Sequence, residues 1–164
     1  MREQIVAWVE SVLPPQLAVM FLAMLPIFEL RLALPVAREI FAMGPLEAYA
    51  WSVIGNLVPI PFILALLGPV TDWAEHHWAG LHRFLDRLKK RTRTRGEARF
   101  ERLRDLAVIT FVAIPLPFTG AWTGALASHV FGVEHKKAFG LITIGVLISG
   151  LIVTVLLEAF DIVI

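Results

Sequence analysis

The sequence has no cysteine, which excludes disulfides, thiolate nucleophiles, iron–sulfur clusters and cysteine-based zinc sites. It has no G-x-x-x-x-G-K-[ST] segment, so an ATP-driven reaction is not expected. Charge is scarce as well. Only 18% of the 164 residues are Asp, Glu, Lys or Arg, against about 25% in an average soluble domain. The first fifteen residues lack both a continuous apolar run and a small-residue cleavage site, so no leader is expected to be removed. What is abundant is apolar: 57% of the residues, with a mean hydropathy of +0.72. A water-soluble protein of this size could not hide so much apolar surface. The composition therefore points to an integral membrane protein, and the long apolar runs make it all-α.

Four stretches carry the apolar residues. Residues 16–37 could span, but Pro26, Glu29, Arg31 and Pro35 fall near the middle. Residues 48–70 hold no formal charge and are interrupted by Gly55-Asn56, Pro59 and Pro61. Residues 106–133 contain Pro115, Pro117, Gly120 and Gly124, with His129 the sole titratable group. Residues 138–157 form an uninterrupted span of about the 20 residues a bilayer requires. Ahead of these, residues 1–13 set Ile5, Trp8, Val9 and Val12 at helical spacing, an expected interfacial helix. Residues 71–105 place Leu81, Phe84, Leu85 and Leu88 on one helical face, followed by KKRTRTRG and a second amphipathic start, which predicts a basic helical hairpin.

The basic residues set the expected topology. Ten of the fifteen Lys and Arg lie between Arg83 and Arg104, Lys136 and Lys137 add two, and Arg2, Arg31 and Arg38 complete the set. If both proline-broken stretches spanned, Lys136 and Lys137 would lie outside. If each dips in and returns to its own side, twelve of the fifteen become cytoplasmic, as the positive-inside rule favours. A weak repeat agrees: Pro26 and Pro115 are 89 residues apart, while Ala48, Ile54 and Gly55 match Ala138, Ile144 and Gly145 at an offset of 90. The expected architecture is an inverted-topology repeat of two re-entrant hairpins and two full spans. Its segments are 1–70 (re-entrant 16–43, span 48–70), the cytoplasmic hairpin 71–105, and 106–164 (re-entrant 106–133, span 138–157). Opposed broken helices meeting near the midplane are the geometry of many secondary transporters.

Glu29 and Arg31 are the strongest local signal, because charge at mid-bilayer costs several kcal/mol. Residues two apart do not face each other on a helix. Either the backbone is non-helical there or each has a separate partner. The pair lines a substrate or ion site or, alternatively, snorkels beside a shallow stretch. In the second broken stretch Thr119, Trp122 and Thr123 offer hydrogen-bonding groups to a ligand or to the carbonyls that Pro115 and Pro117 leave free. Gly120 and Gly124 permit close backbone approach. Asn56 either holds such a carbonyl or touches ligand. Pro26, Pro35, Pro59, Pro115, Pro117, Gly120 and Gly124 are expected to shape the breaks. His76, His77 and His82 do not share a helical face, so no metal site is expected, and no cofactor.

ELRLALP at 29–35, GN-x-x-P-x-P at 55–61 and PLPFTGAWTGALA at 115–127 resemble the small multidrug export family of prokaryotic membrane proteins. That family is similar in plan to the DedA and VTT proteins, whose paired re-entrant loops have been linked to lipid translocation. The resemblance implies a multi-pass protein of the prokaryotic plasma membrane.

The expected function is a secondary transporter or flippase with an amphipathic, anionic substrate between two opposed loops. Arg31 would hold the anionic group and Glu29 would carry a proton. The alternatives are a membrane-embedded lipid-modifying enzyme and a non-transporting assembly factor. Against an enzyme, no His, Ser or second carboxylate stands near Glu29 in a catalytic pattern. Membrane lipid is the expected partner and nucleic acid is not. A homodimer is expected, since two spans and two half-depth dips enclose little, and Gly140, Gly145, Ser149 and Gly150 would let the last span pack closely on a second copy.

Overall fold

The computed structural model describes residues 13–77, 98–116 and 119–161. Residues 1–12 of the expected interfacial helix, residues 78–97 of the basic hairpin with His82, and Pro117 lie outside the described residues. Among the described residues the regular structure is entirely helical: α1 (Pro15–Met24), α2 (Glu29–Glu39), α3 (Pro45–Leu57), α4 (Ile60–His77), α5 (Ala98–Ala113), α6 (Ala121–Val130) and α7 (His135–Asp161). One order of elements occurs twice. A helix, a proline-containing break, a second helix and a tight turn lead into a long apolar helix.

Proline chemistry sets the boundaries. Pro15 and Pro45 occupy first-turn positions of α1 and α3, where a missing N–H costs nothing. Leu25 turns extended, with ψ 136°, because the following Pro26 disfavours helical backbone before it. Pro59 and Pro61 cannot donate to the Gly55 and Leu57 carbonyls, which separates α3 from α4. The apolar run nevertheless continues through the kink. Pro45–Trp73 and His135–Ala159, 29 and 25 residues long, are each long and apolar enough to cross a bilayer. At about 1.5 Å per residue both exceed a hydrocarbon thickness of about 30 Å. The apolar stretches 48–70 and 138–157 are therefore helical, and each helix runs beyond them at both ends. Only 33% of each apolar window is buried in the protein, and Phe62, Leu66, Leu151 and Val155 face outward. That is what a lipid-facing helix requires and what water would penalise.

The described helices divide into two compact units, one ending at Pro59 and resuming at Val146, the other running from Ile60 to Gly145. In the first, Ala18, Val19, Leu22, Leu30, Ala33 and Leu34 are buried between α1, α2 and α3. Gly55 brings α3 onto α1 so closely that a Cβ would overlap the Met20 carbonyl. Gln16 Nε2 donates to Glu47 Oε1 at 2.9 Å, tying the start of α1 to the start of α3. Arg38 closes the 40–44 turn by donating to the Met43 carbonyl at 2.7 Å, and pairs with Glu158 near the end of α7 at 2.7 Å.

The second unit uses the same devices. Val112 of α5 is clasped by Gly124 of α6 and Gly145 of α7. Lys137 pairs with Asp105 at 2.6 Å, and Arg104 reaches the Phe131 carbonyl at 3.5 Å. Thr71 of α4 lies 3.1 Å from His129 Nε2 on α6. The turn after α6 is a glycine stop: Gly132 has φ 66°, Gly132 N–H donates to His129 and Val133 N–H to Ser128.

Candidate binding site

α2 begins where the first break ends, and Glu29 is its first residue. The Glu29 amide donates to the Leu25 carbonyl at 2.9 Å, while its φ of 46° places it in left-handed backbone. A non-glycine residue pays about 1–2 kcal/mol for that conformation. The rotation resolves the geometric problem in the sequence. On a regular helix the two side chains would diverge, whereas here Arg31 Nη2 and Glu29 Oε2 are 2.8 Å apart. The backbone is the non-helical element, and the two charges are partners. Glu29 is nearly sealed, its side chain 5% exposed against 20% for Arg31. Pro35, inside α2, also withholds the donor that the Arg31 carbonyl would receive in an unbroken helix.

Asn56 belongs to the same unit and is buried on α3. Its Oδ1 has no hydrogen-bond partner among the described residues, and neither has Oγ of the fully buried Ser52 one turn earlier. Ser52 was not singled out in the sequence. A polar residue four positions before Asn56 in an uncharged span is the signal that could have found it.

The second break spends its polar groups on itself. The Thr119 hydroxyl shares its proton between the Ile114 and Leu116 carbonyls, at 2.7 and 2.8 Å, and accepts from the Leu116 amide at 3.1 Å. Thr123 donates to the Gly120 carbonyl at 3.3 Å. Gly120 has φ 148°, a conformation open to glycine and strained for other residues, and Trp122 sits half-buried in the first turn of α6. Gly124 packs on Val112, as expected for a close-approach glycine. Two glycines assigned to a second copy are used inside the chain: Gly145 meets Val112 and Ile109, and Gly150 meets Tyr49 and Leu30. Gly140 has open space. The structure thus brings Glu29 and Arg31 together in one unit, and Thr119, Gly120 and Thr123 together in the other. His77 is tied to Trp73, its Nδ1 donating to that residue's carbonyl at 2.9 Å.

The profile of the family described as "Putative small multi-drug export protein" matches residues 29–152. The chain belongs to this family. The match opens on Glu29 and takes in Arg31, Asn56, the second break and most of α7. With two helices long and apolar enough to cross a bilayer, this family member is a membrane protein. No curated protein and no solved structure matches the chain. The comparisons do not show the likeness in plan to the DedA and VTT proteins.

Proposed function

We propose that the protein is a small multi-pass secondary transporter, of the prokaryotic plasma membrane, that moves an amphipathic anion through a site centred on Arg31 and Glu29. The family's description as exporters supports the direction of this reading. The observation that carries it is the ion pair itself, built on strained backbone at the break of an apolar hairpin. α1 and α2, at 10 and 11 residues, are about 15 Å long each, half a hydrocarbon layer. The Gln16–Glu47 bond supports a chain that dips and returns to its starting level. Such a re-entrant stretch carries Glu29 and Arg31 to mid-depth, where irregular backbone and charge are tolerated if they line a cavity. In the second unit the Lys137–Asp105 and Arg104–Phe131 contacts support the same return, and the positive-inside rule favours an inverted repeat of the two broken stretches. The basic segment 83–104 and Lys136-Lys137 then face the cytoplasm.

The pair links two binding events. While Glu29 is charged it occupies Arg31. An incoming carboxylate or phosphate takes the guanidinium when Glu29 gives it up, and protonation is the step that releases it. Anion and proton therefore enter together. Membrane lipid surrounds the protein, and a homodimer encloses the site more fully. The chemistry is binding and release rather than bond-making.

Flux of small organic anions and of fluorescent anionic phospholipid analogues into proteoliposomes tests this. Glu29→Gln and Arg31→Gln are each expected to lower flux more than about tenfold, equivalent to about 1.4 kcal/mol. The Glu29→Gln/Arg31→Gln double variant leaves no buried charge, so it should fold as well as the parent and still fail to transport. Wild-type flux in the double variant would remove the reading.

A further inference from the structure

We propose that the first unit holds one alkali cation of the sodium class between the Met20 carbonyl, Ser52 Oγ and Asn56 Oδ1. Ser52, Gly55 and Asn56 lie at i, i+3 and i+4, on one face of α3. Gly55, between the two polar residues, is the point at which the Met20 carbonyl meets that face. Three oxygen-bearing residues thereby share one α1–α3 contact.

Two of them are anomalous. Ser52 is fully buried and Asn56 is 3% exposed, yet Ser52 Oγ and Asn56 Oδ1 have no hydrogen-bond partner among the described residues. Buried polar atoms of this kind are nearly always satisfied in native proteins, by protein groups, water or an ion. The fold does not require polar groups there. Ninety residues on in the sequence, at the corresponding positions of α7, stand Ile142 and Val146, 0% and 1% exposed. Buried aliphatic residues fill the corresponding positions, so a polar pair calls for something that binds it.

The donor set says what. Hydroxyl, amide and carbonyl oxygens are hard ligands, and all three are neutral. Divalent cations are ordinarily held by carboxylates, so a neutral set suits a single positive charge. Backbone carbonyls likewise coordinate coupling ions in transporters with broken helices. The site stands apart from the transport reading, and only its use as the drive for flux rests on that reading.

The test is the thermal unfolding of the purified protein in detergent, titrated with NaCl at constant ionic strength made up with choline chloride. The expected result is a saturable rise of at least about 2 °C for the parent chain. Asn56→Leu and Ser52→Ala are expected to weaken the apparent sodium affinity at least about tenfold. Equilibrium dialysis of the parent with radioactive sodium gives the stoichiometry independently of how the variants fold, and one ion per chain is expected. An unfolding temperature indifferent to the cation, or no bound sodium by dialysis, overturns the proposal, and buried water then satisfies the two atoms. Proton-driven anion flux that survives such a result would leave the Glu29–Arg31 reading intact, whereas sodium binding in a protein without flux would remove that reading and keep this site.

Discussion

The two units share an order of helices and divide sharply in what those helices carry. At an offset of 90 residues Gly55 corresponds to Gly145, and each makes a close helix contact, Gly55 with α1 and Gly145 with α5. At the same offset Ala42 corresponds to Gly132, and both turn residues have positive φ, 50° and 66°. The chemical positions do not correspond. At that offset Thr119 and Ala121 stand for Glu29 and Arg31, and Ile142 and Val146 for Ser52 and Asn56. What repeats is backbone geometry: the close glycine contact, the left-handed turn residue, the proline in the break. What differs is buried polarity, concentrated in the first unit.

Membrane sidedness is the comparison's most severe test, because its outcome is all or none. The chain has no cysteine, so a single introduced thiol reports alone. Gly44, with open space around its Cα, and Glu134 lie in the corresponding turns. If the units are inverted, an impermeant maleimide added to intact cells labels Gly44→Cys and leaves Glu134→Cys untouched until the membrane is opened. Labelling of both from one side would make the repeat a parallel one and end the re-entrant reading.

The next largest effect separates two ways of closing a helix contact. In the first unit the neighbour of Gly55 is backbone, which no substitution can trim. Gly55→Ala must push α1 from α3, and a loss of at least about 3 kcal/mol is expected, at the upper end for overpacking. In the second unit the neighbour of Gly124 is the Val112 side chain. Gly124→Ala should cost less, and adding Val112→Ala should recover part of the loss through a favourable coupling of about 0.5–3 kcal/mol. Unfolding of the four proteins in denaturant, with Met20→Ala/Gly55→Ala as the fifth, decides it. Recovery in that fifth variant would show that the Gly55 contact is a side-chain contact after all.

These contrasts mark what could be read in advance. Proline positions gave the breaks, because a missing donor and a fixed φ act locally: Pro26 and Pro59 end helices within a residue or two of where the sequence puts the interruptions. Hydropathy gave both helices long and apolar enough to cross a bilayer. The Glu29–Arg31 pair was legible as an anomaly but not as a contact, since the contact needs a left-handed glutamate that no propensity favours. Gly145 and Gly150 looked like a surface for a second copy, because spacing on a helix says which residues share a face but not what covers it. Ser52 was invisible for the same reason: a serine in an apolar span is ordinary until its burial is known. Thr119 looked available to a ligand, and three local hydrogen bonds take up its hydroxyl.

The smallest expected effect is also the most diagnostic of a shared turn, because the two substitutions should have opposite signs. Ala42 holds φ 50° with a Cβ that crowds the carbonyl, and it is kept there by Met43 N–H on the Ala37 carbonyl at 2.9 Å and by Arg38 on the Met43 carbonyl. Replacing it by glycine removes a conformational penalty of about 1–2 kcal/mol, while the freer unfolded chain takes back about 0.4–1 kcal/mol. Ala42→Gly should therefore stabilise by about 0.5–1 kcal/mol. Gly132→Ala reverses both terms at φ 66° and should destabilise by a similar amount, since open space around Gly132 leaves conformation as the dominant cost. For a chain of this length, about 1 kcal/mol moves the unfolding temperature by about 2–4 °C, which a thermal scan resolves. If both variants shift the same way, the two turns are held by different forces, and the correspondence between the units stops at their helices.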